Sequence, residues 1–241
     1  MMSERTFARR FSSYWRNLLP MADQFIRRVN LNPMRYDYAI ASNSAPDRRA
    51  LINEAAFITA RMAAQNSALD IGVERYSYLD LVKEAEISAI AKIAPLEKRA
   101  VKDISSIAGY EIDEVVDLSK SILRFIVSER GQGDFLFSPL FPGCGMVSEG
   151  EGDLLVRDAL CELKGGDRGF RSQDLRQVFT YICLNYSRHR FNIDRLCVVN
   201  PRRGVKFEIG VNTLCNAIAG RSFYDVASDL VKFMSEVAIS R

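Results

Sequence analysis

The hydrophobic period changes at Arg130, and that change limits the possible folds more than any single residue does. Before it, apolar side chains recur at three- and four-residue spacing. Leu51, Ala55, Ile58 and Met62 follow the helix-start signal Pro46-Asp47, and Leu79, Val82 and Ile90 continue in the same manner toward Pro95. Pro95 is expected to open a further helix that Gly109 closes. Val115, Leu118, Ile122, Phe125 and Ile126 then form one apolar face of a helix over 111–129. After Arg130, Gly131, Gly133, Pro139, Pro142, Gly143, Gly145, Gly150 and Gly152 cut the chain into short pieces rich in β-formers. The pattern predicts strands over 135–140, 153–156, 159–164, 195–199 and 205–209, and helices over 172–185 and 223–237. The last two strands flank the turn Asn200-Pro201-Arg202-Arg203-Gly204.

Composition removes several classes of chemistry. With 48% hydrophobic and 26% charged residues in 241, the chain is neither disordered nor fibrous. No apolar run reaches the ~18 residues of a membrane-spanning helix, so a soluble protein without membrane contact is expected. The cysteines, at 144, 161, 183, 197 and 215, are odd in number and form no CxxC pair, which argues against a disulfide framework or a thiolate zinc site and fits a reducing cytoplasm. Cys161, Cys183 and Cys197 alternate with apolar neighbours as core residues do. His189 is the single histidine, so it must serve any histidine-based nucleophile pair, and its Ser-Arg-His-Arg setting reads as a solvent-facing loop. Near the start, Phe7, Phe11 and Trp15 recur at i, i+4, i+8 beside Arg9, Arg10 and Arg16. This predicts a basic amphipathic helix whose aromatic stripe packs on the domain, with a membrane-surface or DNA-contacting role as the alternative. Neither Gly131-Gln132-Gly133 nor Lys164-Gly165-Gly166 has the spacing of a nucleotide-binding P-loop.

The chemistry concentrates in 152–166. If Arg157 and Asp158 form a two-residue hairpin turn, 156 pairs with 159, 155 with 160 and 154 with 161, and Asp153 faces Glu162. Cross-strand Cβ atoms lie about 4.5–5.5 Å apart, and like charges at that distance destabilise a sheet unless compensated. A divalent cation compensates them, and Mg2+ takes one or two carboxylates together with water and phosphate oxygens. Lys164, two residues beyond Glu162, projects from the same face, where an ammonium can stabilise charge on a reacting phosphate. Glu151 is expected to face Lys164 in the same register.

Asp153, then Glu162-Leu163-Lys164 at a strand end, then a helix carrying Gln177-Val178-Phe179-Thr180-Tyr181, resembles the PD-(D/E)XK phosphodiesterase superfamily, including the QxxxY element of its RecB-like members. The resemblance spans roughly 123–209. It implies an α/β fold with a restriction-endonuclease-like core, a central mixed β-sheet flanked by helices, over 111–241, preceded by an α-helical region over 1–110. It further implies that Asp153, Glu162 and the Leu163 backbone carbonyl hold Mg2+, with Mn2+ able to substitute, that Lys164 serves catalysis, and that Gln177 positions the lysine or substrate. Gly152-Asp153 stands where the family has Pro-Asp, and no histidine precedes Asp153. An acid from the preceding helix fills that place in other members, here Glu114 or Glu129. Segment 164–206 holds ten basic residues against Asp167, Asp174 and Asp194, which suits a polyanion, and Arg168, Arg171, Arg176, Tyr181, Arg202 and Arg203 are its expected contacts. The implied activity is Mg2+-dependent hydrolysis of DNA by metal-activated water, leaving 5′-phosphate and 3′-hydroxyl ends, by an endonuclease in defence or DNA processing. RNA stays open as a substrate. The rival is a non-catalytic nucleic-acid-binding or scaffold module of the same fold, with region 1–110 serving a homodimer or protein partner.

Overall fold

Apolar residues at alternate positions in the second half of the chain pair into one mixed sheet. The computed structural model describes residues 1–66 and 75–239. Its strands are β1 (Met34–Arg35), β2 (Phe135–Phe137), β3 (Leu140–Phe141), β4 (Gly150–Glu151), β5 (Leu154–Val156), β6 (Ala159–Leu163), β7 (Arg195–Asn200) and β8 (Val205–Gly210). Six of them form a sheet of order β1-β8-β7-β6-β5-β2, while β3 and β4 make a separate two-stranded ribbon. Only β6 and β7 run parallel. The register of β5 on β6 pairs Val156 with Ala159, Leu155 with Leu160 and Leu154 with Cys161, as a two-residue turn at Arg157-Asp158 requires.

The helices are α1 (Glu4–Arg9), α2 (Ser12–Leu18), α3 (Ala22–Leu31), α4 (Arg49–Asn66), α5 (Arg75–Glu97), α6 (Gly109–Arg130), α7 (Ser172–Tyr186), α8 (Val211–Ala219) and α9 (Phe223–Ile239). Because strand side chains alternate between faces, β6 sends Leu160 to one core and Ala159 and Cys161 to the other. Likewise β7 sends Leu196 and Val198 one way and Cys197 and Val199 the other. The first core is closed by α1–α3, α7, α8 and α9, and the second by α4, α5 and α6. α7 connects the parallel pair β6 and β7, as a crossover helix must. Residues 1–110 are thus divided between the two faces of the sheet, and positions 67–74 within them lie outside the described residues.

Several expected boundaries move. The aromatic stripe at the start does pack on the domain, with Phe7 and Trp15 fully buried and their rings 5.5 Å apart. It belongs to two short helices, because Phe11 between them adopts a left-handed φ of 56°. Pro95 lies inside the last turn of α5, where losing one main-chain donor interrupts little of the ladder, and a single 3-10 turn, Val101–Asp103, follows. Gly109 opens α6 instead of closing a helix, and Glu111 caps it by accepting the Ala108 N–H at 2.9 Å. The strand expected over 135–140 is split into β2 and β3 at Ser138, whose φ is 56°. Among the described residues, no helix is long and apolar enough to cross a membrane.

Candidate active site

Strand parity places the acids. Leu155 and Leu160 point into the α7-side core, so Asp153, Glu162 and Lys164, each an even number of residues away, leave the sheet on that side at one end of β5 and β6. The Lys164 ammonium lies 2.7 Å from Glu162 Oε1 and donates to Gln177 Oε1 at 2.9 Å. Asp153 Oδ2 accepts the Leu163 N–H at 2.7 Å, whereas the Lys164 N–H points the other way, to Val199 O at 2.8 Å. Main-chain N–H and C=O of one strand residue leave on the same side, so the Leu163 carbonyl is directed toward the Asp153 side.

Gln177 reaches Lys164 because the loop between β6 and α7 is held at several points. Arg202 Nε donates to Gly165 O at 2.8 Å, Asn200 Nδ2 to Gly166 O at 2.7 Å, and Asn30 exchanges two bonds of 2.9 Å with Phe170. Asp174 then accepts the Arg171 N–H at 2.9 Å and fixes the first turn of α7. Gln177 lies within the next turn, on the sheet-facing side.

These groups line a cleft of ≈ 640 Å³ between the strand ends and α4–α5. Its opposite wall is apolar, with Phe57, Ile93, Leu96 and Ile122. Sequence reasoning missed several charged residues in it, among them Glu4, Glu54 and Lys92. Glu54 on α4 and Lys92 on α5 pair at 2.9 Å, Lys92 also lies 3.8 Å from Glu151, and Glu4 on α1 accepts from Gln177 Nε2 at 3.3 Å. All three come from helices more than 50 residues away in sequence from β5 and β6, and no local spacing connects them to the hairpin.

Electrostatics reflect the crowding of acids. Burial, and then the charge of Glu162, push the Asp153 carboxyl up to about 7, against the opposing pull of Lys164 and the Leu163 N–H. For Lys164, burial alone would lower the pKa, but the Glu162 and Asp153 charges outweigh it and hold the side chain as an ammonium. Burial and then the charges of Glu162, Glu4 and Asp153 raise the Tyr181 phenol.

The chain matches no family model and no curated protein. The donor set must therefore be judged on its own chemistry. Glu162 and Lys164 neutralise one another, as do Glu54 and Lys92, which leaves Asp153 without an ion-pair partner among the described residues. A half-buried carboxylate in that position is stabilised by an added cation. Among the described residues no three His, Cys, Asp or Glu side chains converge as a complete metal cage. Two carboxylates and a main-chain carbonyl are nonetheless a set that Mg2+ accepts when water or phosphate oxygens complete the shell, so the residues fit a hard divalent ion.

Other expected site residues are committed elsewhere. Glu114 and Glu129 do not line the cleft. Glu114 is buried against Arg202 at 2.6 Å and accepts the N–H groups of Asn43 and Ser44 at 2.7 and 2.8 Å, and Glu129 pairs with Lys206 at 2.7 Å, on β8. Glu151 does not face Lys164, because β4 leaves the main sheet to pair with β3. Tyr181 lines the cleft, is 3% exposed and donates its hydroxyl to Glu151 O at 2.7 Å, which braces the β4 ribbon. Arg202 is 2% exposed and cannot reach a phosphate, because its turn tucks beneath α6. Arg176 stacks over Trp15, 5.9 Å from the ring, away from the cleft. Arg203 donates to Arg168 O at 3.4 Å, and Arg171 is exposed outside the cleft. Of the expected basic contacts Arg168 alone lines the cleft, while holding Asp174 at 2.7 Å.

Proposed function

We propose that this chain is a Mg2+-dependent nuclease with a restriction-endonuclease-like core, cleaving phosphodiester bonds in DNA at the cleft beside β5 and β6. One observation carries the reading: Lys164 is held between Glu162 and Gln177 at the strand ends, next to a half-buried Asp153 that makes no ion pair among the described residues. A structural salt bridge has no need of the second acid, whereas a phosphoryl-transfer site does. Mg2+ held by Asp153, Glu162 and the Leu163 carbonyl would supply charge neutralisation at the phosphate and a water of lowered pKa.

The chain's own residues do the remaining work. Glu162 on β6 and Asp153, one residue before β5, present carboxylate oxygens side by side, and the bond from the Leu163 N–H holds Asp153 against β6. Lys164, kept protonated by the two acids, donates to a non-bridging phosphate oxygen and does not act as a base. Gln177 restrains the ammonium so that it does not collapse fully onto Glu162. Arg168 at the edge of the cleft offers an ion-pair partner to a neighbouring phosphate.

The test is cleavage of single-stranded and duplex DNA, with matched RNA, in Mg2+ and in EDTA. Wild type should cut only with the metal, and Asp153→Ala and Lys164→Ala should each lose about 100-fold or more. Salt-sensitive binding with no cutting by wild type would instead make the chain a binding module, and equal cutting by both variants would remove the site.

A further inference from the structure

Gln177 is gripped at both ends of its amide. Its Oε1 accepts from the Lys164 ammonium at 2.9 Å, and its Nε2 donates to Glu4 Oε1 at 3.3 Å. An ammonium has only donors and a carboxylate only acceptors, so a single orientation of the amide satisfies both partners. The flipped amide would set NH2 against NH3+ and a carbonyl oxygen against a carboxylate. Glu4 is itself held firmly. The Met2 main chain bonds to Met146 O and to Ser148 N, each at 2.9 Å, Ser3 caps α1, and Phe7 and Ala8 are fully buried on the same helix. A Cβ on Gly150 would meet Glu4 Oε2 at 3.3 Å, so the carboxylate also rests close against the β4 ribbon.

We propose that Glu4 is a positioning residue of the cleft: it fixes the orientation of the Gln177 amide so that its oxygen faces Lys164 and holds that ammonium for the reacting phosphate. The aromatic stripe of α1 and α2 is then the anchor that delivers a carboxylate to Gln177 in the cleft, which gives this segment a role in the site. The effect on turnover rests on the nuclease reading of the cluster, whereas the effect on the amide does not.

The experiment combines steady-state cleavage of DNA with the side-chain amide signal of Gln177 in 15N-labelled full-length chain, assigned by its disappearance in Gln177→Glu. Glu4→Ala should lower kcat by about tenfold with KM little changed, in the range for partners that orient a reacting group indirectly. Glu4→Lys should lower it further, because a lysine there donates to the Gln177 oxygen and turns the NH2 toward Lys164. Glu4→Gln retains an acceptor and should lose less. The double substitution Glu4→Gln with Gln177→Glu restores one donor and one acceptor between the two positions and keeps an acceptor toward Lys164, so it should be more active than Gln177→Glu alone. In Glu4→Ala the Gln177 amide protons should lose their carboxylate-bonded shift and exchange faster. An unchanged amide signal in Glu4→Ala, or, where wild type cleaves, a double variant no better than Gln177→Glu, overturns the proposal. Should wild type not cleave while the amide still responds to Glu4→Ala, the nuclease reading falls and the positioning by Glu4 stands.

Discussion

Asp153 concentrates the tension of the site, and its protonation makes that tension measurable. An ordinary aspartate loses its proton near 4, and unfolding returns Asp153 to that value, but in the fold burial and the neighbouring Glu162 charge hold the proton until about 7. Between those values the folded chain binds more protons than the unfolded chain, so this group's contribution to stability is complete below pH 4 and is lost as pH rises toward 7. With no divalent ion present, Asp153→Asn should therefore stabilise the protein at pH 8, by on the order of 2–4 kcal/mol, and leave stability near pH 4 little changed. Thermal melts across pH 4–8 read this directly. Added Mg2+ should raise the wild-type melting temperature at pH 8 and do nothing for the variant, because binding to the folded state alone stabilises it. A wild type that melts higher than Asp153→Asn in EDTA at pH 8 would show the carboxylate to be satisfied without a cation.

At the scale of elements, the β5–β6 hairpin and α7 could be read directly from the chain, since strand parity and helix spacing are local, and the hairpin register sets Asp153, Glu162 and Lys164 at one end, while Gln177 also needs the long-range contacts that hold the β6–α7 loop. Glu4, Glu54 and Lys92 were not legible, because each reaches the cleft through helix packing that no short-range pattern encodes. Arg202 was misread for the related reason that its partner Glu114 lies 88 positions earlier, so a charged turn that looks exposed in sequence is buried in the fold. That turn also yields a prediction about which glycines are indispensable. Gly204 has φ +61°, and a Cβ there would meet Asp37 O at 2.2 Å, just where Tyr36 and Asp37 donate to Gly204 O and dock β1 against the β7–β8 turn. Gly220 ends α8 with φ +66° but faces open space. Gly204→Ala should thus cost the left-handed strain plus a backbone displacement, roughly 3 kcal/mol or more, while Gly220→Ala should cost only the strain, about 1 kcal/mol. Urea denaturation of both variants checks the difference, and equal losses would mean that the β1 contact adjusts freely.

Across the whole molecule, charge works mainly as internal wiring. The run 164–206 looks strongly basic in sequence, yet Lys164, Arg168, Arg195, Arg202 and Lys206 are paired with Glu162, Asp174, Asp158, Glu114 and Glu129. Acids from α6, from the β5–β6 hairpin and from α7 itself thus neutralise half of its ten basic residues. The deepest of these links, Arg202 with Glu114, ties α6 to the β7–β8 turn, and through Arg202 Nε to Gly165 it also ties both to the residue after Lys164. Burial by itself would raise the Glu114 carboxyl, but the Arg202 bond and the Ser44 N–H hold it below the ordinary range. Removing one partner leaves a charge stranded in the interior, so Arg202→Met should destabilise by about 3–5 kcal/mol. Glu114→Gln keeps an oxygen for the Asn43 and Ser44 N–H groups but strands the guanidinium, and should also destabilise. Combining the two removes both charges, so the double variant should lose at least about 1–2 kcal/mol less than the sum of the single losses. Strict additivity in equilibrium denaturation would show that the two side chains are not coupled. The coupling would then have to be sought in the Gly165 contact, with the β6–α7 loop, and Lys164 with it, shifting in Arg202→Met alone.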